Sequence, residues 1–363
     1  RRVTKPQSGR KSGLSSLGAT ALALAASFAA ALILLLIFAE DFPAALRYFF
    51  LSPLGNTYYL GNLLAASAPL MLGGLGITFA FGSRNFNLGG EGQIYSGALA
   101  ATVLCLALPS PSGGLSIHPL VGQALAALAG AGAGACIGLF SGALKRFLMV
   151  DELISSFLVS AALSLGVDYL VTGPFQDPGS NFQTTLAIAQ SLRLPRLLPP
   201  SQLSTSLGLS VAVCIAAKFF MERTRCGYEL KVYGNSGEFA AYIGIDTGLY
   251  TLLPMGISGA LHGLAGAVMI LGTYYKVMKG FSAGVGWTAI AVALIARNKP
   301  LAVIPAALFF AYLDAGAKSV MIGSNVSSEI VAVIQSVIFF LVTASVLESR
   351  RAGSRRKKPG GSA

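Results

Sequence analysis

Glu91 lies in the run FNLGGEGQ at residues 86–93, flanked by Gly89, Gly90 and Gly92, with Asn87 and Gln93 close by. Glycine adopts backbone conformations that a helix does not use, so this run can leave helical geometry at the mouth of the apolar stretch that follows. A carboxylate carried ionised to the bilayer centre costs about 3 kcal/mol. Glu91 therefore sits at an interface, favoured by the positive end of the helix it opens, or it faces a polar interior. On the first reading it is structural. On the second, Asn87, Gly90, Glu91 and Gln93 line a solute path or its inner gate. A comparable interruption, LGTYYKVMKGFSAGVGWTAIAVALI at residues 271–295, precedes an unusually short apolar segment. Paired interruptions in two halves of a bundle point to a transport site. Tyr274, Tyr275, Phe281 and Trp287 can present ring faces to a planar solute, or form an aromatic belt at an interface.

A second candidate is polar and lies between apolar segments: MERTRCGYELKVYGNSGEFAAYIGIDTGL at residues 221–249. Here Asn235 is expected to cap a short helix, with Glu238 three residues on as its reciprocal partner and as a favourable charge near the positive helix end. Phe239, Tyr242 and Ile243 then share one face, and Gly244 supplies a left-handed stop. Such an amphipathic helix either docks into a groove of a partner protein or lies on lipid headgroups.

Other candidates carry less. Asp314 and Lys318 are four apart and are expected to pair on one helix face. The run GAGAGACIG at residues 130–138 imitates a dinucleotide fingerprint but sits inside an apolar stretch with no strand before it, so close helix packing is the expectation. Cys105, Cys136, Cys214 and Cys226 show no CxxC spacing, and only His118 and His262 accompany them. Buried, unpaired thiols and no metal site are expected. The sequence holds no GxxxxGK[ST] loop, no HExxH and no nucleophile–base set, so no catalytic residue and no cofactor of its own is expected. The chain of intramembrane acids and histidines typical of a proton-driven carrier is missing too.

The elements that must position these residues follow from composition. Of 363 residues, 54% are hydrophobic and only 11% charged, too few charges to coat a soluble protein of this length. Apolar spans are expected near 19–39, 59–82, 91–108, 120–143, 149–171, 203–220, 249–271, 286–297, 300–318 and 330–348, ten in all. The net charge of +12 is concentrated at the ends, which hold 11 of the 26 Lys and Arg. No basic face interleaved with aromatics lies between them, which argues against nucleic acid. With both termini cytoplasmic, the inner loops carry Arg84, Lys145, Arg146, Arg223, Arg225, Lys231, Arg297 and Lys299, and the outer loops fewer cations. The expected organisation is a basic tail at 1–18, a transmembrane domain at 19–348 and a second basic tail at 349–363. Within the domain lie a cytoplasmic loop at 221–248 and a long outer loop at 172–202. Five spans per half would make the halves inverted repeats. The fold class is an all-α polytopic membrane protein.

The loop GYELKVYGNSGEFAAYIGI resembles "GYELRAVGxNPxAAxYxGI" of permeases in the nucleoside-type branch of bacterial ABC importers, a branch related to the ribose and branched-chain amino-acid permeases. FNLGGEGQ is similar to "xNIGxEGQ", DELISSFL at 151–158 to "NEVISTLM", and GPFQDP at 173–178 to "GPWKDP". SGALHGLAGAVMILG at 258–272 and GWTAIAVALIARNKPL at 286–301 resemble "SGALAGLAGAxxxLG" and "GFxGIAVALLGxxxPL". Departures are Asp151 for Asn, Trp287 for Phe, Gly234-Asn235-Ser236 for "GxNP", and Val159-Ser160-Ala161 in place of "LNY".

The resemblance implies that residues 221–248 form the coupling element that rides on a cytoplasmic ATPase subunit, with Tyr228, Glu229, Gly234, Asn235, Glu238, Phe239, Ala240, Tyr242 and Gly244 as its docking residues. It also implies a second permease subunit, identical or homologous, and an extracytoplasmic solute-binding protein, all in a bacterial inner membrane with lipid around the bundle. ATP is then used by the partner, and this chain is not an enzyme. The expected pathway residues are Asn87, Gly90, Glu91, Gln93, Tyr275, Phe281 and Trp287. The expected solute is a nucleoside or purine-like compound, with riboflavin or another flavin, or a sugar, as alternatives. A secondary transporter independent of ATP is the reading from another class.

Overall fold

Long apolar runs in a bilayer satisfy their backbone hydrogen bonds internally, and helices do this segment by segment. The computed structural model of the chain describes residues 41–108 and 117–324, with scattered positions between 29 and 39 and between 326 and 340. Among the described residues every named element is helical, and only three isolated antiparallel bridges occur. The α-helices of six or more residues among them are α1 (Phe42–Phe50), α2 (Thr57–Gly82), α3 (Gly90–Ala107), α4 (Pro119–Leu148), α5 (Glu152–Thr172), α6 (Ser206–Arg223), α7 (Arg225–Asn235), α8 (Gly237–Tyr242), α9 (Thr247–Met269), α10 (Val285–Ile295) and α11 (Val303–Gly323). Among the described residues, five helical stretches are long and apolar enough to cross a membrane: Thr57–Gly82, Pro119–Leu148, Glu152–Thr172, Thr247–Tyr274 and Pro300–Gly323. The expected spans at 19–39 and 330–348 and both basic tails lie largely or wholly outside the described residues.

Helix starts follow local chemistry. Asn56 caps α2 by accepting from the Tyr59 amide at 2.9 Å, Asp151 caps α5 through Leu153, and Asp246 caps α9 through Gly248 and Leu249. The α1 helix, capped by Asp41, lies in the outer loop expected between the spans at 19–39 and 59–82.

The chain divides into two units, residues 53–312 and residues 1–52 with 313–363. In the larger unit α9 is the hub. Gly130, Gly134 and Gly138 of α4 lie against Gly263, Gly259 and Met255 of α9, so close that a Cβ on any of the three would meet backbone or a packed side chain. Small residues at such spacing allow close backbone approach where lipid offers no hydrophobic drive between helices. On the side of α9 away from α4, His262 fills the space left by Gly73 and Gly76 of α2. α2 and α9 are thus buried, whereas α4 and α5, equally apolar, turn Leu128, Phe140, Phe147, Leu165 and Tyr169 outward. Cys136 is exposed on that outward side and Cys226 is exposed on α7, which corrects the expectation of buried thiols for these two; Cys105 and Cys214 are buried.

In the smaller unit, Gly316 packs against the Phe49 backbone and Gly323 against the Tyr48 ring. Lys318 and Asp314 pair at 2.5 Å.

Between α9 and α10 the backbone departs from α geometry. A π-turn at Ile270–Tyr274 ends in Tyr275, which has a left-handed φ of 62°, and Gly280 and Gly284 have φ of 69° and 80°. α10 then runs only 11 residues, about 16 Å at 1.5 Å per residue, roughly half the hydrocarbon thickness. The connection at 172–202 lies along this interruption: the Thr185 amide donates to Val277 O, the Ile188 amide to Tyr275 O, and the Leu194 amide to Leu271 O.

Candidate functional site

The unwound residues before α3 are held by side chains from three other segments. Asn87 is fully buried; its amide nitrogen donates to Ser258 Oγ of α9 and to Gln93 Oε1, both at 2.9 Å, while its Oδ1 accepts from the Gly89 amide. Ser156 and Ser160, one turn apart on α5, accept from the amides of Leu88 (3.0 Å) and Gly92 (2.8 Å). Non-helical backbone is tolerated at membrane depth only where protein or a cavity covers it, and here polar side chains supply the missing partners. Gln93 is fully buried, so Asn87 and Gln93 chiefly satisfy one another.

Glu91 opens α3 and reaches the second interruption. Its Oε1 accepts from the Gly284 amide at 3.0 Å and its Oε2 from the Gly286 amide at 2.8 Å. Gly90 packs on the His262 ring, where a Cβ would stand 2.7 Å from Nε2. The two interrupted segments therefore meet at Gly90, Glu91 and Gly286. His262 directs Nδ1 to Ser258 O at 2.7 Å.

The aromatic candidates separate into different settings. The Tyr275 ring is covered by Arg193, 4.6 Å from the centroid, and Arg196, 5.7 Å away, whose Nε also donates to the Tyr275 hydroxyl. Phe281 is buried between Tyr95 and Tyr274, both with ring centroids at 5.5 Å. Trp287 remains 41% exposed beside Phe157, with centroids 6.0 Å apart, so among the pathway aromatics it has the most open ring.

The polar loop at 221–248 folds as two helices meeting at a sharp break. The cap of α8 is Ser236, whose Oγ accepts from the Phe239 amide at 3.2 Å. Asn235, expected as the cap, is instead the last residue of α7, a helix that the sequence reading does not anticipate, and a serine in extended geometry takes the role. Glu238 still lies in the first turn. Phe239, Tyr242 and Ile243 are exposed, Ala240 is buried, and Gly244 has the left-handed φ of 83° that a helix stop uses. Gly234 is pressed against the Gly82 carbonyl at the end of α2.

Glu229 faces inward. It accepts from Arg225 Nε at 2.6 Å and from the Tyr250 hydroxyl at 2.7 Å. Arg225 first, and Tyr250 next, hold its carboxyl below the usual carboxylate range. Tyr228 is exposed on the same helix. Tyr233 Oη shares a hydrogen bond with Thr251 Oγ1 at 2.9 Å, so α7 is fastened to the start of α9 twice. Nearby, Lys145 Nζ donates to Asn85 Oδ1 at 2.9 Å and Glu152 Oε1 at 2.8 Å, while Asn85 donates to Tyr250 O.

A family profile described as the permease component of a branched-chain amino acid transport system matches residues 59–343. The chain belongs to this family of ABC importer permeases. It is 31% identical over 320 residues to the Treponema pallidum protein named "Probable riboflavin import permease protein RfuC", covering 87% of this chain and 83% of that one. It is 32% identical to the guanosine ABC transporter permease protein NupP of Bacillus subtilis, over 84% of this chain and 86% of the relative. Identity to the glucose ABC transporter permease protein TsgB13 of Haloferax volcanii is also 32%, over 84% and 81%. A solved inward-facing ABC transporter described as metal-chelate type aligns with a TM-score of 0.42 at 16% identity, over 91% of this chain and 99% of that one.

This permease is thus a multi-pass membrane protein and not itself an enzyme. Ser156, Ser160 and Ser258 are not legible in the sequence as site residues, because a serine in an apolar helix carries no local sign of its partner. Nor is Tyr250, because its role depends on Glu229, 21 residues away. The i,i+4 spacing of Ser156 and Ser160 was the one available signal.

Proposed function

We propose that this permease imports a nucleoside or purine-like solute across a bacterial cytoplasmic membrane, in a complex driven by separate ATPase subunits. The observation that carries the reading is α8: an exposed Phe239, Tyr242 and Ile243 face, started by Ser236, stopped by Gly244 and fastened through α7 to α9. A partner that moves this face moves the start of α9 with it. Tyr228, Gly234, Asn235, Glu238 and Ala240 complete the docking element. ATP binds the partner, and no cofactor is held by this chain.

The assembly comprises two permease subunits, identical or homologous, two ATPase domains on the cytoplasmic side and a solute-binding protein outside, with lipid around the exposed α4 and α5 faces. Ten spans with both termini inside, arranged as two inverted halves of five, fit the placement of α3 and α10, each starting after an unwound segment. The half-open Trp287 ring beside Phe157 favours a planar heteroaromatic solute, and the guanosine relative supports a purine. A flavin is the second reading, supported by the same ring pair and by the riboflavin relative. A sugar stands behind both, supported by the glucose relative.

The test is affinity purification of the tagged permease from its own host in mild detergent, with mass spectrometry of what accompanies it. Recovery of a Walker-motif ATPase and a solute-binding protein supports the reading, and the ligand of that binding protein names the solute. Solute flux that survives ATP depletion, by a chain recovered alone, overturns it.

A further inference from the structure

α10 begins without a cap of its own. The residue ahead of it, Gly284, has no side chain and a left-handed φ of 80°. The amides that a first turn leaves without intrahelical partners are met instead from α3, 193 and 195 residues away, by the two oxygens of Glu91. Gly286 lies so close to Gly90 and Glu91 that a Cβ on it would collide with their backbone. Two helix starts, each the positive end of its dipole, thus abut, and a single carboxylate lies between them.

One turn along α3, Tyr95 holds the other end of the same loop. Its hydroxyl accepts from the Gly280 amide at 3.1 Å and donates to Asp168 Oδ1 of α5 at 2.6 Å, while its ring packs on Phe281. Residues 280–286 are therefore stapled to α3 at both ends, by Tyr95 and by Glu91. Ser282, midway between the staples, is 4% exposed.

We infer that Glu91 is a positioning residue for solute movement and not a solute ligand: it is the remote N-cap of α10, joining residues 280–286 and the start of α3 into one rigid piece that carries Trp287. The inference rests on the reading of this chain as a solute-conducting permease. Its consequence is a division of labour at the interruption: Glu91 fixes where the α10 half-helix begins, and the side chains beyond it meet the solute.

The test uses the complete transporter in a host lacking its own copy, with E91Q, E91D and G286A. Radiolabelled guanosine, riboflavin and glucose are the probes. For whichever is transported, E91Q is expected to lower Vmax about tenfold, the equivalent of one charge-assisted hydrogen bond, with KM within about twofold and unchanged preference among competing solutes. E91D, which keeps the charge on a shorter arm, recovers part of the loss. E91Q combined with G286A should do little more harm than G286A alone, because both part the same two helix starts.

A second readout needs no solute. In a chain with its four cysteines replaced, S282C is expected to resist a maleimide reagent and to become several-fold faster to label once E91Q is added. A KM raised tenfold or more by E91Q with altered solute preference, or labelling of S282C unchanged by E91Q, overturns the inference. Absence of uptake of all three probes by the unsubstituted transporter counts against the proposed solutes, while the labelling comparison still decides the role of Glu91.

Discussion

The Tyr250 hydroxyl, in the first turn of α9, donates a 2.7 Å hydrogen bond to the carboxylate of Glu229 on α7. Twenty-one residues separate the two, and the exposed Phe239, Tyr242 and Ile243 of α8 and its stop lie in the chain between them. The bond closes this stretch into a loop whose two ends are fixed together, so under the proposed function a partner that displaces α8 would move the start of the hub helix with it.

Removing that donor should uncouple the parts without unfolding them. Y250F deletes one hydrogen bond to a charged acceptor, while Tyr233 and Thr251 still hold α7. ATP-driven uptake is expected to fall several-fold with the ATPase still co-purifying. Unchanged uptake would remove the bond from the transmission path.

The same site sets a pH dependence. Glu229 has its carboxyl lowered by Arg225 and then Tyr250. The unfolded chain therefore takes up the proton near the ordinary value of about 4.3, and the folded chain only at lower pH. Over that window the folded state binds fewer protons, so the contribution is complete above the ordinary value and is lost as pH falls through the folded one. The difference in melting temperature between the unsubstituted chain and E229Q should be constant from about pH 6 to 8 and shrink only below about pH 4.5. A difference that already varies near neutrality would contradict the geometry.

Capping and docking on α8 should separate. S236A removes the observed cap and is expected to cost about 1 kcal/mol, weakening ATPase co-purification through disorder of the helix. E238A, without a capping role to lose, should cost about 0.3–1 kcal/mol through the helix dipole. Y242A removes an exposed ring that is 88% accessible and should leave the melting temperature unchanged while abolishing co-purification. Retained ATPase binding by Y242A would move the docking surface elsewhere.

The glycines of α4 give a paired test of packing. At Gly134 an added Cβ meets the Gly259 carbonyl of α9, whereas at Gly132 nothing lies within 4 Å. G134A is expected to destabilise by about 1–3 kcal/mol and to reduce the amount of folded protein in the membrane. G132A should stay within about 0.5 kcal/mol of the unsubstituted chain. Thermal unfolding in detergent compares them directly, and equal effects would refute the α4–α9 contact.

Apolar length and glycine placement are local properties, and they mark the long apolar helices and both interruptions from the sequence alone, though not α1 or α7. α2, α4, α5 and α9 lie within a few residues of the expected spans, because about 20 apolar residues have few alternatives to a helix in lipid. The stop at Gly244 and the exposed Phe239, Tyr242 and Ile243 face were also legible, since a single turn and a 3.6-residue period set them. The cap was misplaced by one residue, at Asn235 instead of Ser236, because either side chain can cap and only the course of α7 chooses between them. Tertiary structure alone brought Glu91 to Gly284 and Gly286, buried Phe281, covered Tyr275 with two arginines and left Trp287 open. Those outcomes depend on which helix starts meet across nearly 200 residues of chain, a distance over which hydrophobic periodicity carries no information about partners.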